Sequence, residues 1–396
     1  MFVIRKQPLR WGRPAMMELS SEDSLRLNVL LANELEAIRI DESSMTVHGL
    51  SARGESVVRL SPNCRDEQYL RRVREMLSSH VLGSPGGYPV YLRRWTRMGQ
   101  ARDNSLEKLL LLGEPEAVVA VVHASGLTDQ LAQRAWWAMP TADNARNMLA
   151  RAGIATGTMG PVLAEYLVEY LPFEQEHGAM IDSIRLVLQP GLISDDTKAR
   201  LWAKAKHKLT YYVGFLDAVP DELPEATPPH PGLARVEVNL RALAEADNLI
   251  AAQLLRLLGA AGQAYLMTVE TVLRKPANQD VMVALVESLQ RYSGSVVEPG
   301  PRLQAMDEIL QKVERLVDSA QPVASQRAAQ VQTVVQALPQ LVRELYAMLV
   351  LSEVGERLVA PIFARTDAIG SVMRRRLEPV TGPLLQQIAI LQGAAG

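Results

Sequence analysis

The sequence predicts a mainly α protein: a small N-terminal α+β domain, irregular α-solenoid-like helical repeats and a C-terminal helical bundle. Three observations support this class. Aromatic residues make up only 5% of the chain while leucine and alanine dominate, and this balance favours helices over strands. Short segments of alternating polarity occur before residue 100, and beyond it apolar residues recur at helical spacing. A proline-rich stretch over residues 220–232 then separates two helical regions.

The α+β domain is predicted to cover residues 17–100. The string Ser20-Ser21-Glu22-Asp23 precedes helically spaced apolar residues, which predicts a capped helix that ends near Asn33. Alternating polarity with turn residues between the segments then indicates strands. Two or three strands are predicted, within residues 36–40, 45–48 and 56–60.

A second helix is expected to follow, with Asn63 as its cap and Gly83 as its end. Its core face is predicted from apolar residues spaced by three and four positions. These are Tyr69, Leu70, Val73, Met76, Leu77 and Val81. Residues 88–95 are expected to form a further strand.

Residues 101–219 are predicted to form a helical-repeat domain. Three segments in it begin with glycine and continue into an apolar helix, and two of them close with proline; they lie at 126–140, 160–172 and 191–219. Their starts are about 31 to 34 residues apart, the size of a helix-hairpin repeat. Stacked hairpins bury a face that one hairpin cannot, so an irregular α-solenoid is predicted, with a non-repeating helical domain as the alternative.

The prolines of residues 220–232 remove backbone donors and favour extended chain, which predicts a semi-rigid linker. Residues 233–396 are predicted to form the helical bundle. Its main helices are expected at 233–258, 260–274, 277–292, 301–318 and 322–351. Bundles rich in small residues often pair with another chain, so a homo-oligomer is an expected state.

Net charge and cysteine content limit which partners and which cellular compartment are expected. The formal net charge of −2 gives no global attraction to nucleic acid or to an anionic membrane. The single cysteine, Cys64, excludes an intrachain disulfide and fits a reducing cytosol. Charged residues interrupt every apolar run well short of about 18 residues, so no membrane insertion is expected and the cytoplasm is the expected location. Residues 1–16 are expected to be a flexible extension, since Met16 or Met17 is an alternative start.

One local basic and aromatic segment is a candidate interaction surface: Arg93, Arg94, Trp95 and Arg97. Arginine contacts phosphate and tryptophan stacks on bases, so RNA is one partner that this segment would accept. The preceding helix is expected to extend the face with Arg71, Arg72 and Arg74. The alternative is structural: the arginines pair with acidic residues and Trp95 packs where two domains join.

Trp136 and Trp137 add a second candidate surface. They are adjacent on a predicted helix and so face partly opposite ways, which predicts one in the core and one exposed, as at partner surfaces. The alternative is that both are buried between stacked helices.

Chemistry-bearing motifs are few. Cys64 is expected in the first turn of a helix beside Arg65, where helix terminus and cation favour a thiolate, but no second cysteine accompanies it. Residues 83–87 are glycine-rich but lack the Gly-Lys-Ser/Thr ending of a phosphate loop, so a turn is predicted, with an anion site as the alternative. The histidines are dispersed, which predicts no metal site. The sequence has no Gly-x-Ser-x-Gly elbow and no cysteine pair with metal-ligand spacing, so no catalytic constellation is predicted. Residues 374–376, three arginines, are expected to form a solvated helix end.

Several strings of the sequence together resemble one family. They lie at residues 17–33, 82–100, 107–122, 135–151, 159–174, 187–202 and 211–220. They resemble the sulfur reduction protein DsrS family, which is encoded in the dissimilatory sulfite reductase gene clusters of sulfur-oxidising bacteria. The resemblance is strong over residues 17–224 and looser through the bundle, and residues 1–16 fall outside it.

The resemblance implies a cytoplasmic, non-enzymatic accessory protein that supports sulfur oxidation through the reverse-acting sulfite reductase pathway. Its implied partners are proteins of that system, and it implies no catalytic residue and no cofactor. Two alternatives remain. One is an RNA-binding regulator that uses the Arg93–Arg97 surface, and the other is a sulfur carrier that uses Cys64.

Overall fold

The computed structural model describes residues 19–89, 104–297, 303–318, 325–365 and 368–394. The chain divides into two compact units, Met1–Gly160 and Pro161–Gly396. The predicted boundaries, after residue 100 and across residues 220–232, differ from this division. The contacts described below give the reasons.

The first unit begins with a helix and a sheet. Helix α1 spans Ser21–Leu31, and a three-stranded antiparallel sheet follows in the order β1-β2-β3. The strands are β1, Leu35–Asp41, β2, Thr46–Ser51, and β3, Gly54–Arg59. The three predicted strands and the Ser20 cap are confirmed, since the Ser20 side chain accepts a bond from the Asp23 N–H at 3.1 Å.

Helix α2 spans Asp66–Leu82 and ends at Gly83, whose φ of 69° is left-handed, as predicted. One face of the sheet packs with α1 and α2 into a single core. Its fully or largely buried members include Leu27, Leu30, Ile38, Val47, Val58, Tyr69, Val73 and Leu77. Met76, which was predicted on this face, is only partly buried.

From Asn104 onward, five further helices lie in the described part of the first unit. They are α3, Asn104–Leu109, α4, Pro115–His123, α5, Asp129–Ala138, α6, Ala142–Leu149, and α7, Ala152–Ala155. Helix α5 packs against β1, and the Ile38 N–H donates to the Leu110 carbonyl at 2.8 Å. These contacts join the helices after residue 100 to the sheet, which is why no boundary falls there.

Helices and the loops between them make up the described residues of the second unit. Its first helices are α8, Met159–Tyr170, which begins at the boundary, α9, His177–Val187, α10, Asp195–Ala205, and α11, Thr210–Ala218. The next are α12, Leu233–Glu245, α13, Leu249–Leu258, α14, Ala260–Arg274, and α15, Gln279–Tyr292. The last are α16, Met306–Val317, α17, Gln326–Ala337, α18, Val342–Glu353, α19, Glu356–Phe363, and α20, Gly370–Leu391. The stacked α-solenoid stays a prediction.

The proline-rich segment is packed within the second unit instead of linking two separate bodies. The His230 N–H donates to the Leu258 carbonyl at 2.8 Å, and the Trp202 indole N–H donates to Glu225 at 3.1 Å. Helix α11, before the segment, packs against α14 and α15 after it. The prediction that this segment is a linker between two bodies is therefore wrong. Prolines restrict the conformation of the chain, but they do not prevent it from packing.

Two predicted long helices are broken. Residues 233–258 divide at Asp247, whose φ is 60°, and the Asn248 side chain then caps α13 by accepting from the Ala251 N–H at 3.0 Å. Residues 322–351 divide at Leu338, which precedes Pro339 and leaves the helical region with a φ of −138°.

Three local predictions are also wrong. Helix α2 starts at Asp66 with Arg65 at its cap, so Asn63 is not the cap and Cys64 precedes the first turn. Residues 87–89 are helical where a strand was predicted to begin, and residues 90–95 lie outside the described residues. Residues 374–376 are exposed, as expected, but lie in the N-terminal half of α20 and not at an end where the helix dipole favours cations.

A helix that crosses a bilayer must be both long and apolar. No single helix among the described residues is long and apolar enough to cross a bilayer. Two consecutive helix pairs reach that composition together, α13 with α14 and α17 with α18, and they are bent by 73° and 112°.

Candidate interaction site

Trp137 lies in the last turn of α5, which the sheet positions. The Thr128 side chain caps α5 by accepting from the Leu131 N–H at 3.2 Å, and three small or aliphatic residues form its buried face. These are Leu131, Ala132 and Ala135. Trp136 and Trp137 are both half-buried, so neither the split between core and surface nor full burial of both describes them.

Arg39 of β1 holds Trp137 by two contacts. Its guanidinium carbon lies 4.9 Å from the centroid of the Trp137 ring, within the range of a cation–π interaction. Its Nη1 donates to the Trp137 main-chain carbonyl at 3.4 Å. This carbonyl is among the last of α5, where a cation is favoured by the helix dipole.

Glu55 of β3 is the anionic centre of the same cluster. Its carboxylate accepts from the Trp137 indole N–H and from Arg39, each at 3.4 Å, and lies 2.6 Å from His48 Nδ1. The hydrogen bond from His48 lowers the pKa of the Glu55 carboxyl, and the Trp137 bond and the Arg39 charge act in the same direction against the effect of burial. The carboxylate is therefore ionised in its place between three donors.

The strand register puts the remaining members on one face. Arg39 pairs with His48, and His48 pairs with Val57, so the three side chains share a face of the sheet. Val57 is 58% exposed. We name the set Trp137, Arg39, His48, Glu55 and Val57 the Trp137 surface.

Arg134 fixes α5 beneath this surface. Its Nη2 donates to Glu36 of β1 at 2.9 Å, and its Nη1 donates to Glu107 of α3 at 3.2 Å. The Arg134 side chain is mostly buried and Glu36 is partly buried, so this pair is less screened by solvent than the pair with Glu107, which is exposed. The last turn of α5 is therefore held against β1 at two neighbouring points, Arg134 and Trp137.

The arrangement suits recognition of a partner. An indole, a guanidinium, an imidazole and a carboxylate are bonded to one another at a half-open face, so little side-chain freedom is lost when a partner covers them. Trp and Arg are also the side chains most enriched at binding hot spots.

The basic segment predicted as a surface falls outside the described residues, since Arg93, Arg94, Trp95 and Arg97 lie between positions 89 and 104. The three arginines expected to extend it are ion-paired. Arg71 and Arg72 bind Glu75 at 3.8 and 2.6 Å, and Arg74 binds Glu42. The three arginines share two carboxylates, so these ion pairs offset part of their positive charge.

The glycine-rich loop at residues 83–87 has an internal partner. The Tyr88 N–H donates to the Glu114 carboxylate at 2.9 Å, and the Gly87 N–H donates to Ser78 Oγ at 2.7 Å. A Cβ on Gly87, whose φ is 59°, would lie 2.1 Å from the Glu114 carboxylate. Because the chain's own carboxylate takes this position, the structure favours the predicted turn over a site for an external anion.

Cys64 is half-buried and packs at the margin of the core of α1, the sheet and α2. Its Sγ lies 3.7 Å from the Arg65 carbonyl. Within the described ranges, no cluster of three or more His, Cys, Asp or Glu residues is placed to hold a metal ion.

Arg39, His48 and Glu55 were not singled out from the sequence. The alternation of the predicted strands is the signal that places Arg39 and His48 on one face, but it does not show that α5 lies over them. No protein-family model, curated protein or solved structure matches this chain.

Proposed function

We propose that this chain is a non-enzymatic accessory protein that binds protein partners through the Trp137 surface. The observation that supports the proposal most is the half-buried Trp137 ring, held between Arg39 and Glu55 at an open sheet face. A tryptophan fixed in this way presents a large amphipathic area at low entropic cost.

The cellular setting of the proposal is dissimilatory sulfur oxidation in the cytoplasm. It rests on the resemblance to the sulfur reduction family, and a single cysteine in 396 residues is in keeping with a reducing compartment. The proposed partners are proteins of the reverse-acting sulfite reductase pathway. A second copy of the chain is a further proposed partner, through the helical bundle.

Regulation through RNA binding is the second candidate. It depends on Arg93, Arg94, Trp95 and Arg97, and the ion pairs of Arg71, Arg72 and Arg74 reduce the support expected from α2. A sulfur carrier that uses Cys64 is the third, and the packing of Cys64 against the core limits the access of a large partner to its sulfur.

The test is affinity purification of the tagged full chain from cells grown on reduced sulfur, with recovered proteins and transcripts both quantified. We expect recovery of sulfite reductase pathway proteins by the wild-type chain and its loss in Trp137→Ala. Val238→Ser is the matched control, because Val238 is 79% exposed on α12 and far in sequence from the Trp137 surface. Thermal unfolding of each variant shows whether the fold is retained.

Recovery of transcripts in place of proteins would replace the proposal with the regulator. Failure to recover either, together with loss of sulfur oxidation in Cys64→Ser, would contradict both and favour the carrier.

A further inference from the structure

Helix α8 carries a second apolar face that is open to solvent. Val162, Tyr170 and Phe173 are 46%, 37% and 74% exposed, and Tyr166 is half-buried between them. Positions 162, 166, 170 and 173 are four and three residues apart, so their side chains follow one line along the helix and the turn after it. We name these four residues the α8 stripe.

The α8 stripe lies about 100° around the helix from the face that anchors it, because each of its helical residues directly precedes a buried leucine. Leu163, Leu167 and Leu171 are buried and supply the apolar face by which α8 joins the core. A helix at a protein surface needs one such face, so a second one is a feature to be explained.

The rings of the stripe are in contact with one another. Tyr166 and Tyr170 are stacked with centroids 5.9 Å apart and planes 10° apart, and Tyr170 and Phe173 are 6.4 Å apart. The three rings therefore form one continuous aromatic area instead of isolated exposed side chains.

Acidic residues border this area. Glu165 and Glu169 lie on the same helix and Glu176 lies just after it, and all three are exposed. Among the described ion pairs, none involves these three carboxylates. Their negative charge is therefore available to a partner.

We infer that the α8 stripe is a docking site for a basic amphipathic segment of a partner protein, one that carries lysine or arginine beside leucine or aromatic side chains. The apolar side chains of such a segment would cover the rings, and its cations would meet Glu165, Glu169 and Glu176. Nucleic acid and a second copy of the α8 stripe both carry negative charge, so these carboxylates would repel either of them. This inference concerns the second unit and stands apart from the Trp137 surface, so either claim can fail alone.

The test uses the full-length chain and a fluorescently labelled synthetic peptide of lysine, leucine and tryptophan that forms an amphipathic helix. Anisotropy should show binding that weakens as salt rises, because the carboxylates contribute. Two control peptides are included: one has glutamate for lysine, and one has serine for every apolar residue. Neither should bind appreciably.

Substitutions in the α8 stripe and in its neighbouring carboxylates test whether the peptide binds there. Tyr170→Ser with Phe173→Ser should weaken binding at least about tenfold, the loss of a hot spot, and Glu165→Gln with Glu169→Gln and Glu176→Gln should reduce its salt dependence. Val238→Ser, an equally exposed apolar position elsewhere, should leave binding unchanged. Absence of binding, equal binding by the serine variant, or equal binding of the glutamate peptide would overturn the inference. Trp137→Ala should leave peptide binding intact, which separates this result from that for the proposed function.

Discussion

Arg39 and Trp137 are 98 positions apart in the chain and in contact through both the ring and the main chain of the tryptophan. The guanidinium carbon lies 4.9 Å from the ring centroid, and Nη1 bonds the carbonyl at 3.4 Å. The orientation of the Trp137 ring at the sheet face therefore depends on a residue of β1.

We predict that Arg39→Ala weakens partner recovery more than it weakens the fold. The lost cation–π and surface hydrogen bonds amount to about 1 kcal/mol of unfolding free energy, whereas the ring loses its fixed orientation. Urea unfolding and affinity purification measure the two effects. Arg53→Ala, at an exposed position in the turn before β3, is the control and should change neither. A large stability loss with unchanged recovery would show that Arg39 is structural only.

Glu55 gives the Trp137 surface a dependence on pH. The pKa of the Glu55 carboxyl is lowered in the folded chain, chiefly by the hydrogen bond from His48. The ionised carboxylate therefore stabilises the fold at pH values above its ordinary pKa, and this stabilisation is lost as the pH falls through the lowered pKa. We predict that Glu55→Gln costs about 0.2–1 kcal/mol near neutral pH and that the difference from wild type disappears in acid. Unfolding free energies across acidic to neutral pH check this. A difference that grows in acid would contradict the assigned direction.

Gly87 and Gly83 make a matched pair for the loop that binds Glu114. Both have positive φ, but a Cβ on Gly83 would meet no atom within 4 Å, whereas one on Gly87 would displace the Glu114 carboxylate. We predict that Gly83→Ala costs about 1–2 kcal/mol from backbone strain alone. Gly87→Ala should cost about 1–3 kcal/mol more, because a charge-assisted hydrogen bond is also lost.

A double-mutant cycle tests that reason. Glu114→Ala should cost less in the Gly87→Ala background than in the wild type, since its bond to the Tyr88 N–H is already broken. Additive losses would show that Glu114 does not depend on Gly87.

Glu353 is buried between α16, α17 and α18 and accepts from Arg327 at 2.7 Å and from Lys312 at 2.9 Å. Burial alone would raise the pKa of its carboxyl, but the two donors outweigh it and hold the pKa below the ordinary value. We predict that Glu353→Gln destabilises the chain by about 3–5 kcal/mol, because Arg327 is left buried without its counter-charge. Glu237→Gln, which removes the exposed pair with Arg241, should cost at most about 0.5 kcal/mol. Similar losses in urea unfolding would contradict the role given to burial.

Local signals accounted for most of the first part of the fold. The Ser20 cap, the three alternating strands and the Gly83 stop each depend on residues within a few positions of one another, so they are readable from the sequence. The break at Asp247 is different. Asparagine and aspartate are only mildly unfavourable inside helices, so the Ala- and Leu-rich residues 233–258 look continuous until one residue adopts a left-handed φ.

Of the members of the candidate site, only Trp137 was predicted, because two tryptophans are adjacent in the sequence. Strand alternation is compatible with Arg39 and His48 on one face, but it singles out neither residue. The contact of α5 with β1 depends on tertiary packing between distant segments, for which no local pattern exists. Tertiary packing also explains why the boundary predicted after residue 100 differs from the observed division. The hydrogen bond from the Ile38 N–H to the Leu110 carbonyl joins two segments that differ in composition.

Recovery of sulfite reductase pathway proteins by the Trp137→Ala chain, relative to wild type and to Val238→Ser, tests the proposed function most directly. With the fold verified by thermal unfolding, we expect at least about a tenfold loss in Trp137→Ala and no loss in Val238→Ser. Equal recovery by all three chains would contradict the claim that this protein binds its partners through the Trp137 surface.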